Sequence, residues 1–262
     1  MDKQEYPIII GLCGKAGTGK TSVANMIVPS RTIKHDQENG LIWDHTFFAL
    51  PLYEMASIRK MTKGELSEDR ILYQMHEVLF DLFGRSPSYG APSYDNFVQL
   101  VKDISNIPMP LNDDIKPRSF LQEAGKLCRD LNEDCFVQWA KRRSYQRAAS
   151  LLSSENDEAE IYERYACIIS DVRYVNEAKM ISEHPNGILI RFDASNDIRM
   201  DRLYNRDGYR MSEEQLNHKS ERVEDIPEEW FDAIIDSDQM TVKEQAQFTE
   251  LTIKKQLGKV YA

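Results

Sequence analysis

Near the start of the chain lies the run Gly14-Lys15-Ala16-Gly17-Thr18-Gly19-Lys20-Thr21, which has the spacing G-x-x-x-x-G-K-[ST]. Each part of that spacing answers a need of phosphate chemistry. Glycines at 14, 17 and 19 let the backbone turn through left-handed conformations, so that successive N–H groups converge on phosphate oxygens. The Lys20 ammonium is expected at the β- and γ-phosphates and the Thr21 hydroxyl on Mg²⁺. A helix starting near Gly19 would add the positive end of its dipole. The expected ligand of the whole run, Gly14, Lys15, Ala16, Gly17, Thr18, Gly19, Lys20 and Thr21, is ATP.

Three further groups of side chains suit a second phosphate. In a helix over 118–130, residues advance by about 100° each, so Arg118, Gln122, Gly125 and Arg129 share one face and Phe120, Leu121, Ala124, Leu127 and Cys128 lie opposite. Guanidinium groups suit a monophosphate, the amide suits a nucleobase edge, and the glycine admits a ligand close to the backbone. The competing reading is a solvated helix face. Asp171 ends an apolar strand and could orient Mg²⁺, with Arg173 beside it to hold phosphate; a helix cap is the plainer reading of that aspartate. Arg199, Arg202, Arg206 and Arg210 recur at steps of three and four. On a mobile segment they would neutralise the transferring phosphoryl group, and two of the four are expected to touch nucleotide. Ion pairing with Asp197, Asp201 or Asp207 competes for them. No histidine base is needed, because an attacking phosphate oxygen is already anionic.

The elements that must position these groups follow from periodicity. An apolar strand over 7–12 enters the glycine run, and a helix through Val23, Met26 and Ile27 leaves it and stops at Pro29. A strand is expected over 46–50, then helices over 52–61 and 65–83. Residues 84–117 hold five prolines and read as a long irregular insertion near the substrate or on a lid. Helices over 118–130 and 134–152, a solvated acidic loop over 153–160 and a strand over 165–170 come next. Helices over 176–182, 196–204 and 242–257 alternate with strands over 187–192 and 233–235. Strands alternating with helices predict an α/β fold, a parallel sheet covered on both faces. The expected organisation is a single domain over 1–262 with the 84–117 insertion and a lid over about 199–222.

Composition bounds the partners. The 262 residues carry a formal charge of −10 with 41% apolar residues, which suits a globular chain and argues against long nucleic acid as a partner. The acid gathers in 153–160 and 224–238, and the cations at Lys20, 118–129 and 199–210, a pattern suited to a small anionic acceptor. No apolar stretch approaches the roughly 18 residues of a spanning helix, and the start lacks a signal-peptide pattern, so a cytoplasmic location is expected. Cys13, Cys128, Cys135 and Cys167 form no C-x-x-C pair, and the histidines have no metal spacing. A GTPase would need N-K-x-D; Asn217-His218-Lys219-Ser220 has the wrong order.

Six ordered blocks resemble the phage-type deoxynucleoside monophosphate kinases of the P-loop nucleoside monophosphate kinase superfamily. They are Gly14 to Thr21; Phe48-Ala49-Leu50-Pro51-Leu52-Tyr53-Glu54-Met55-Ala56, like F-A-D-P-L-K-E-x-A; Arg118-Ser119-Phe120-Leu121-Gln122-Glu123-Ala124-Gly125, like R-x-L-L-Q-x-x-G; Ser170-Asp171-Val172-Arg173-Tyr174-Val175-Asn176-Glu177-Ala178, like D-x-R-F-x-N-E-A; His218-Lys219-Ser220-Glu221, like H-x-S-E; and Asp232-Ala233-Ile234-Ile235-Asp236-Ser237-Asp238, like D-x-x-I-x-N-D. The resemblance implies a P-loop kinase three-layer α/β sandwich with a central parallel sheet and a helical lid. It implies transfer of the ATP γ-phosphate to a deoxynucleoside 5′-monophosphate with Mg²⁺, in the host cytoplasm if the chain is phage-encoded, with a homodimer as a family-level expectation. It would place Arg118, Gln122 and Arg129 at the acceptor, Asp171 and Arg173 at the reaction centre, Thr21 and Asp171 at the metal, and Arg202 and Arg206 in the lid. Leu50, Thr21 and Phe136 depart from the family pattern and leave the preferred base open. A kinase acting on hydroxymethylpyrimidines in phage DNA and a non-catalytic ATP-binding regulatory module are the alternatives.

Overall fold

The structure, a computed structural model, describes residues 6–30, 32–60, 67–84, 93–109, 117–152, 164–208 and 212–260. The strands are β1 Ile8–Cys13, β2 Ile33–Asp36, β3 Leu41–Thr46, β4 Arg164–Val172, β5 Gly187–Asp193 and β6 Ala233–Asp236. The helices are α1 Lys20–Ile27, α2 Leu50–Lys60, α3 Glu68–Phe83, α4 Tyr94–Asn106, α5 Arg118–Leu131, α6 Cys135–Leu152, α7 Val175–Ser182, α8 Asn196–Asp207, α9 Glu213–Leu216 and α10 Val242–Val260. The chain divides into two units, Met1–Phe47 with Lys141–Ala262, and Phe48–Ala140.

The first unit is an α/β structure on a six-stranded sheet of order β2-β3-β4-β1-β5-β6. Its neighbours run parallel except for β2 against β3. β1 is buried along its whole length, as a central parallel strand must be, and its unbroken Ile-Ile-Ile run reflects that. Ile8, Ile10 and Leu12 join Val23 and Ile27 of α1 and Ala246, Ile253 and Leu257 of α10 in one core. On the opposite face, a Cβ on Gly11 would lie only 2.4 Å from Cδ1 of Ile181 on α7. Helices therefore cover both faces, and the C-terminal ends of five parallel strands lie at one edge of the sheet.

A strand expected over 46–50 is displaced: β3 occupies Leu41–Thr46, and α2 begins at Leu50, where Pro51 is tolerated in a first helical turn. Local sequence hides β3 because its centre is Trp43-Asp44-His45. Asp44 is buried, and it is satisfied by the Tyr165 hydroxyl at 2.8 Å and Arg147 Nε at 3.1 Å, both far along the chain.

The second unit packs α2, α3, α4 and α5 against one another. Part of the segment expected to be irregular is helical: α4 buries Phe97, Leu100, Val101 and Ile104 on one stripe and is capped by Ser93, whose hydroxyl accepts from the Asn96 N–H at 3.4 Å. Prolines flanking this helix obscured its three- and four-residue steps. Residues 85–92 and 110–116, like the acidic loop over 153–160, lie outside the described residues. Trp139 Nε1–H donates to Asp81 at 2.7 Å and ties α6 to α3 within this unit. Among the described residues no helix is long and apolar enough to cross a membrane.

Two buried histidines set the acid limit of the first unit. His45 donates through Nδ1 to the Val28 carbonyl at 3.2 Å and accepts at Nε2 from Ser170 at 2.8 Å. His184 accepts at Nδ1 from the Asn186 N–H and faces the Tyr145 hydroxyl through Nε2. Burial pushes both down from 6.5 to about 4. The unfolded chain therefore takes up these protons first, so their contribution is full above pH 6.5 and is lost as pH falls toward 4, about 2–3 kcal/mol for each. Urea midpoints at pH 7 and pH 4.5 are expected to differ accordingly, and His184→Gln to flatten part of that slope.

Candidate functional site

The loop between β1 and α1 is shaped by glycines that no other residue replaces cheaply. Gly14 has φ 145° and a Cβ there would lie 2.4 Å from the Phe192 carbonyl oxygen; Gly17 has φ 85° and its Cβ would lie 2.7 Å from the Arg199 carbonyl oxygen. The loop is thus pressed between β5 and the first turn of α8. Gly19 forms the N-cap of α1 in a left-handed conformation, with no side-chain cap and no acidic residue in the first turn. The first N–H groups of α1 and the positive end of its dipole therefore meet no protein carboxylate from that turn.

Lys20 is 5% exposed. Its Nζ donates to the Gly14 carbonyl at 2.5 Å, the Lys15 carbonyl at 2.8 Å and Thr18 Oγ1 at 3.2 Å. Burial, and then the neighbouring Arg173 guanidinium, lower its pKa from 10.5 to about 7, against which Glu221 and Asp171 act. Asp171 is the penultimate residue of β4, half-buried and close enough to Lys20 to be felt by it. Thr21 is exposed in the first turn of α1.

Arg173 Nη1 donates to the Ser220 carbonyl at 3.1 Å and also to Glu221 Oε1. Glu221 is also buried, and Arg173 beside it holds its carboxyl below the usual carboxylate range despite that burial. Sequence reasoning gave Glu221 no role; its one signal was membership of the His218-Lys219-Ser220-Glu221 block. The arginines expected on a lid separate in the structure. Arg199 is buried and bound to the glycine loop, Arg202 donates to the Ser237 carbonyl at 2.8 Å and to the Gly17 carbonyl at 3.4 Å, and Arg206 pairs with its neighbour Asp207 at 2.6 Å. Arg210 lies outside the described residues. Lys15 pairs with Glu224 at 3.1 Å.

A cavity of about 540 Å³ adjoins the loop at Lys15 and Thr18 and runs along the ends of β5 and β6. Two of its cations are paired within the lining, Arg191 with Asp193 and Lys15 with Glu224, and Asp238 accepts the Ser195 N–H.

In the second unit, α5 carries Arg118, Gln122, Gly125 and Arg129 on one face. That face is not a solvated surface, since Arg118 is 8% exposed and Gly125 is buried against Leu52 of α2. Arg129 lies 4.4 Å from the centroid of Phe136, and its Nη1 donates to the Gly125 carbonyl at 3.3 Å.

For a divalent cation, the oxygens nominated from the sequence are the Thr21 hydroxyl, exposed in the first turn of α1, and the Asp171 carboxylate near the end of β4. Among the described residues no group of three or more His, Cys, Asp or Glu side chains gathers into a cage. That donor set fits Mg²⁺, which keeps several waters and takes one or two protein oxygens together with substrate phosphates. No family model and no curated protein matches this chain.

Proposed function

We propose that the protein is a P-loop kinase, a three-layer α/β sandwich with a helical lid, which transfers the γ-phosphate of ATP to a deoxynucleoside 5′-monophosphate and yields the diphosphate. The observation that carries this reading is Lys20: an ammonium held 5% exposed among carbonyls of a glycine loop, with its pKa pushed down to about 7 beside a second cation, Arg173. Burying a charge is costly unless an opposite charge meets it, and a polyphosphate chain supplies one.

In this reading the N–H groups from Gly17 to Thr21 cradle the phosphate chain and Lys20 stabilises charge on its β- and γ-oxygens. Thr21 and Asp171 would hold Mg²⁺, which when bound supplies charge neutralisation at the phosphates. Arg173 binds the transferring group, and Arg202 and Arg206 close over the nucleotide. Arg118, Gln122 and Arg129 on α5 bind the acceptor. The acceptor phosphate oxygen attacks as an anion, so these residues orient the reactants and stabilise charge, and none needs to remove a proton.

Incubation with labelled ATP, Mg²⁺ and each deoxynucleoside monophosphate tests the reading. Label is expected in one or more diphosphates; transfer to none of them, or only to a hydroxymethyluracil-containing duplex, would reject it.

The titration of Lys20 makes a second, independent expectation. Above pH 7 the ligand-free lysine is increasingly neutral, and the anionic ligand raises its pKa, so binding takes up a proton. Calorimetry of ATP binding at pH 8 in two buffers of different ionisation enthalpy is expected to show uptake approaching one proton, with affinity falling up to about tenfold per pH unit above pH 7. Equal heats in the two buffers would contradict it.

A further inference from the structure

One loop residue, Ala16, is gripped at both of its backbone polar groups by a single buried ion pair. Its N–H donates to Glu221 Oε2 at 2.9 Å, and its carbonyl accepts from Arg199 Nε at 2.8 Å. The two side chains bond each other, Arg199 Nη2 to Glu221 Oε2, at 3.3 Å, and are 4% and 5% exposed. In a trans peptide the carbonyl and the next N–H point in opposite directions. Turning the Ala16 carbonyl onto Arg199 therefore turns the Gly17 N–H away from α8. Arg202 acts less firmly on the next peptide plane, through its 3.4 Å contact with the Gly17 carbonyl. The space a Gly17 Cβ would need is filled by the Arg199 backbone, so the loop has no slack on this side.

The second oxygen of Glu221 has a different task. Oε1 takes Arg173, and Arg173 is near enough to Lys20 to be the leading charged neighbour that depresses it. One carboxylate thus spans two guanidinium groups, on α8 and on the turn that follows β4, and a loop N–H. Two cations face one anion, so the group keeps a positive charge toward Lys20.

We propose that Glu221 is a positioning residue of the site: through Arg199 and Ala16 it sets the peptide planes of the phosphate loop, and through Oε1 it fixes Arg173 beside Lys20. This rests on the phosphoryl-transfer reading given above. It separates Arg199 from the lid arginines, because its guanidinium is committed to the loop and to Glu221 rather than to substrate.

The test must separate positioning from mere stability. Glu221→Gln alone strands two guanidinium groups, so the informative variant is Arg199→Met with Glu221→Leu, which removes the buried pair together and leaves only Arg173, 21% exposed and still bonded to the Ser220 carbonyl, without its carboxylate; exchange of a buried pair for apolar side chains is often neutral for stability. Two readouts are taken beside the melting temperature: the Kd of ATP by calorimetry, which needs no chemistry, and kcat with a deoxynucleoside monophosphate. At a melting temperature within a few degrees of the parent, the double variant is expected to bind ATP about tenfold more weakly and to turn over about thirtyfold or more slowly. Parental Kd and kcat would overturn the proposal and leave the kinase reading intact. If the parent binds ATP but transfers to no acceptor, the kinase reading fails, and Kd alone judges the loop clamp. Should the double variant not fold, Glu221→Asp replaces it: the shorter acid keeps the charge but cannot span all three partners, so loss in Kd or kcat supports positioning and parental values overturn it.

Discussion

Lys20→Met will lower phosphoryl transfer by about 10²–10³-fold or more while leaving the ligand-free protein close to its parental stability. The two halves of this result have one cause. The ammonium is 5% exposed and its pKa is lowered from 10.5 to about 7, so at neutral pH the fold bears a cost of several kcal/mol for keeping that charge inside. Methionine removes the charge and keeps most of the stem. That gain is offset by the Gly14 and Lys15 carbonyls, which give up a donor. Because parental stability rises with pH between about 7 and 10.5 as the buried amine sheds its proton, and methionine has no such gain, the parent should pull ahead of the variant in alkaline buffer. The measurements are kcat/KM for ATP and denaturant midpoints without nucleotide. A variant with parental turnover would remove Lys20 from the chemistry, and one that loses several kcal/mol would mean that Lys20 is chiefly structural.

Arg118→Ala is expected to raise the KM for the acceptor by about 10–100-fold with the KM for ATP unchanged, the scale of one lost set of charge-assisted hydrogen bonds. Arg118 shares its face of α5 with Gln122 and Arg129 and is 8% exposed, which a guanidinium on a plain solvated helix would not be. Lys126→Ala is the matched control. Lys126 lies on the same helix, is exposed and pairs at 2.6 Å with Asp130, so its loss should leave both constants as they are. Equal effects of the two substitutions, or none from either, would show that the α5 face does not bind the acceptor.

Legibility in the sequence follows how local each requirement is. β1, β4 and β5 were readable because a central parallel strand is buried on both sides and shows as an unbroken apolar run. β3 was not, since its polar centre is made tolerable only by Tyr165 and Arg147. The short, mostly exposed β2 carries no apolar run at all. α4 was obscured by the prolines on either side of it. At the site, the glycine loop was evident because its conformation depends on eight consecutive residues. Glu221 stood out only as the last residue of the His218-Lys219-Ser220-Glu221 block, and its importance arises only where Ala16, Arg173 and Arg199 converge from three other places in the chain. Arg199 and Arg202 were recognised as cations with the right spacing, while their engagement with loop carbonyls depends on the position of α8, which no local pattern encodes.

The division of the first unit into two stretches of chain bears on how the protein is made. Ile9 of β1 must wait for Cys167 of β4 on one side and Gly187 of β5 on the other before its strand is paired. The second unit, by contrast, is one continuous stretch from Phe48 to Ala140 and emerges from the ribosome before either partner of β1 exists. Its helices can associate through local contacts, which form quickly, whereas the parallel sheet needs contacts of long sequence separation, which form slowly. During synthesis the apolar Ile8-Ile9-Ile10 run is therefore exposed for the whole interval in which the helical unit is being completed, and that interval is the stage of biogenesis most open to misassociation.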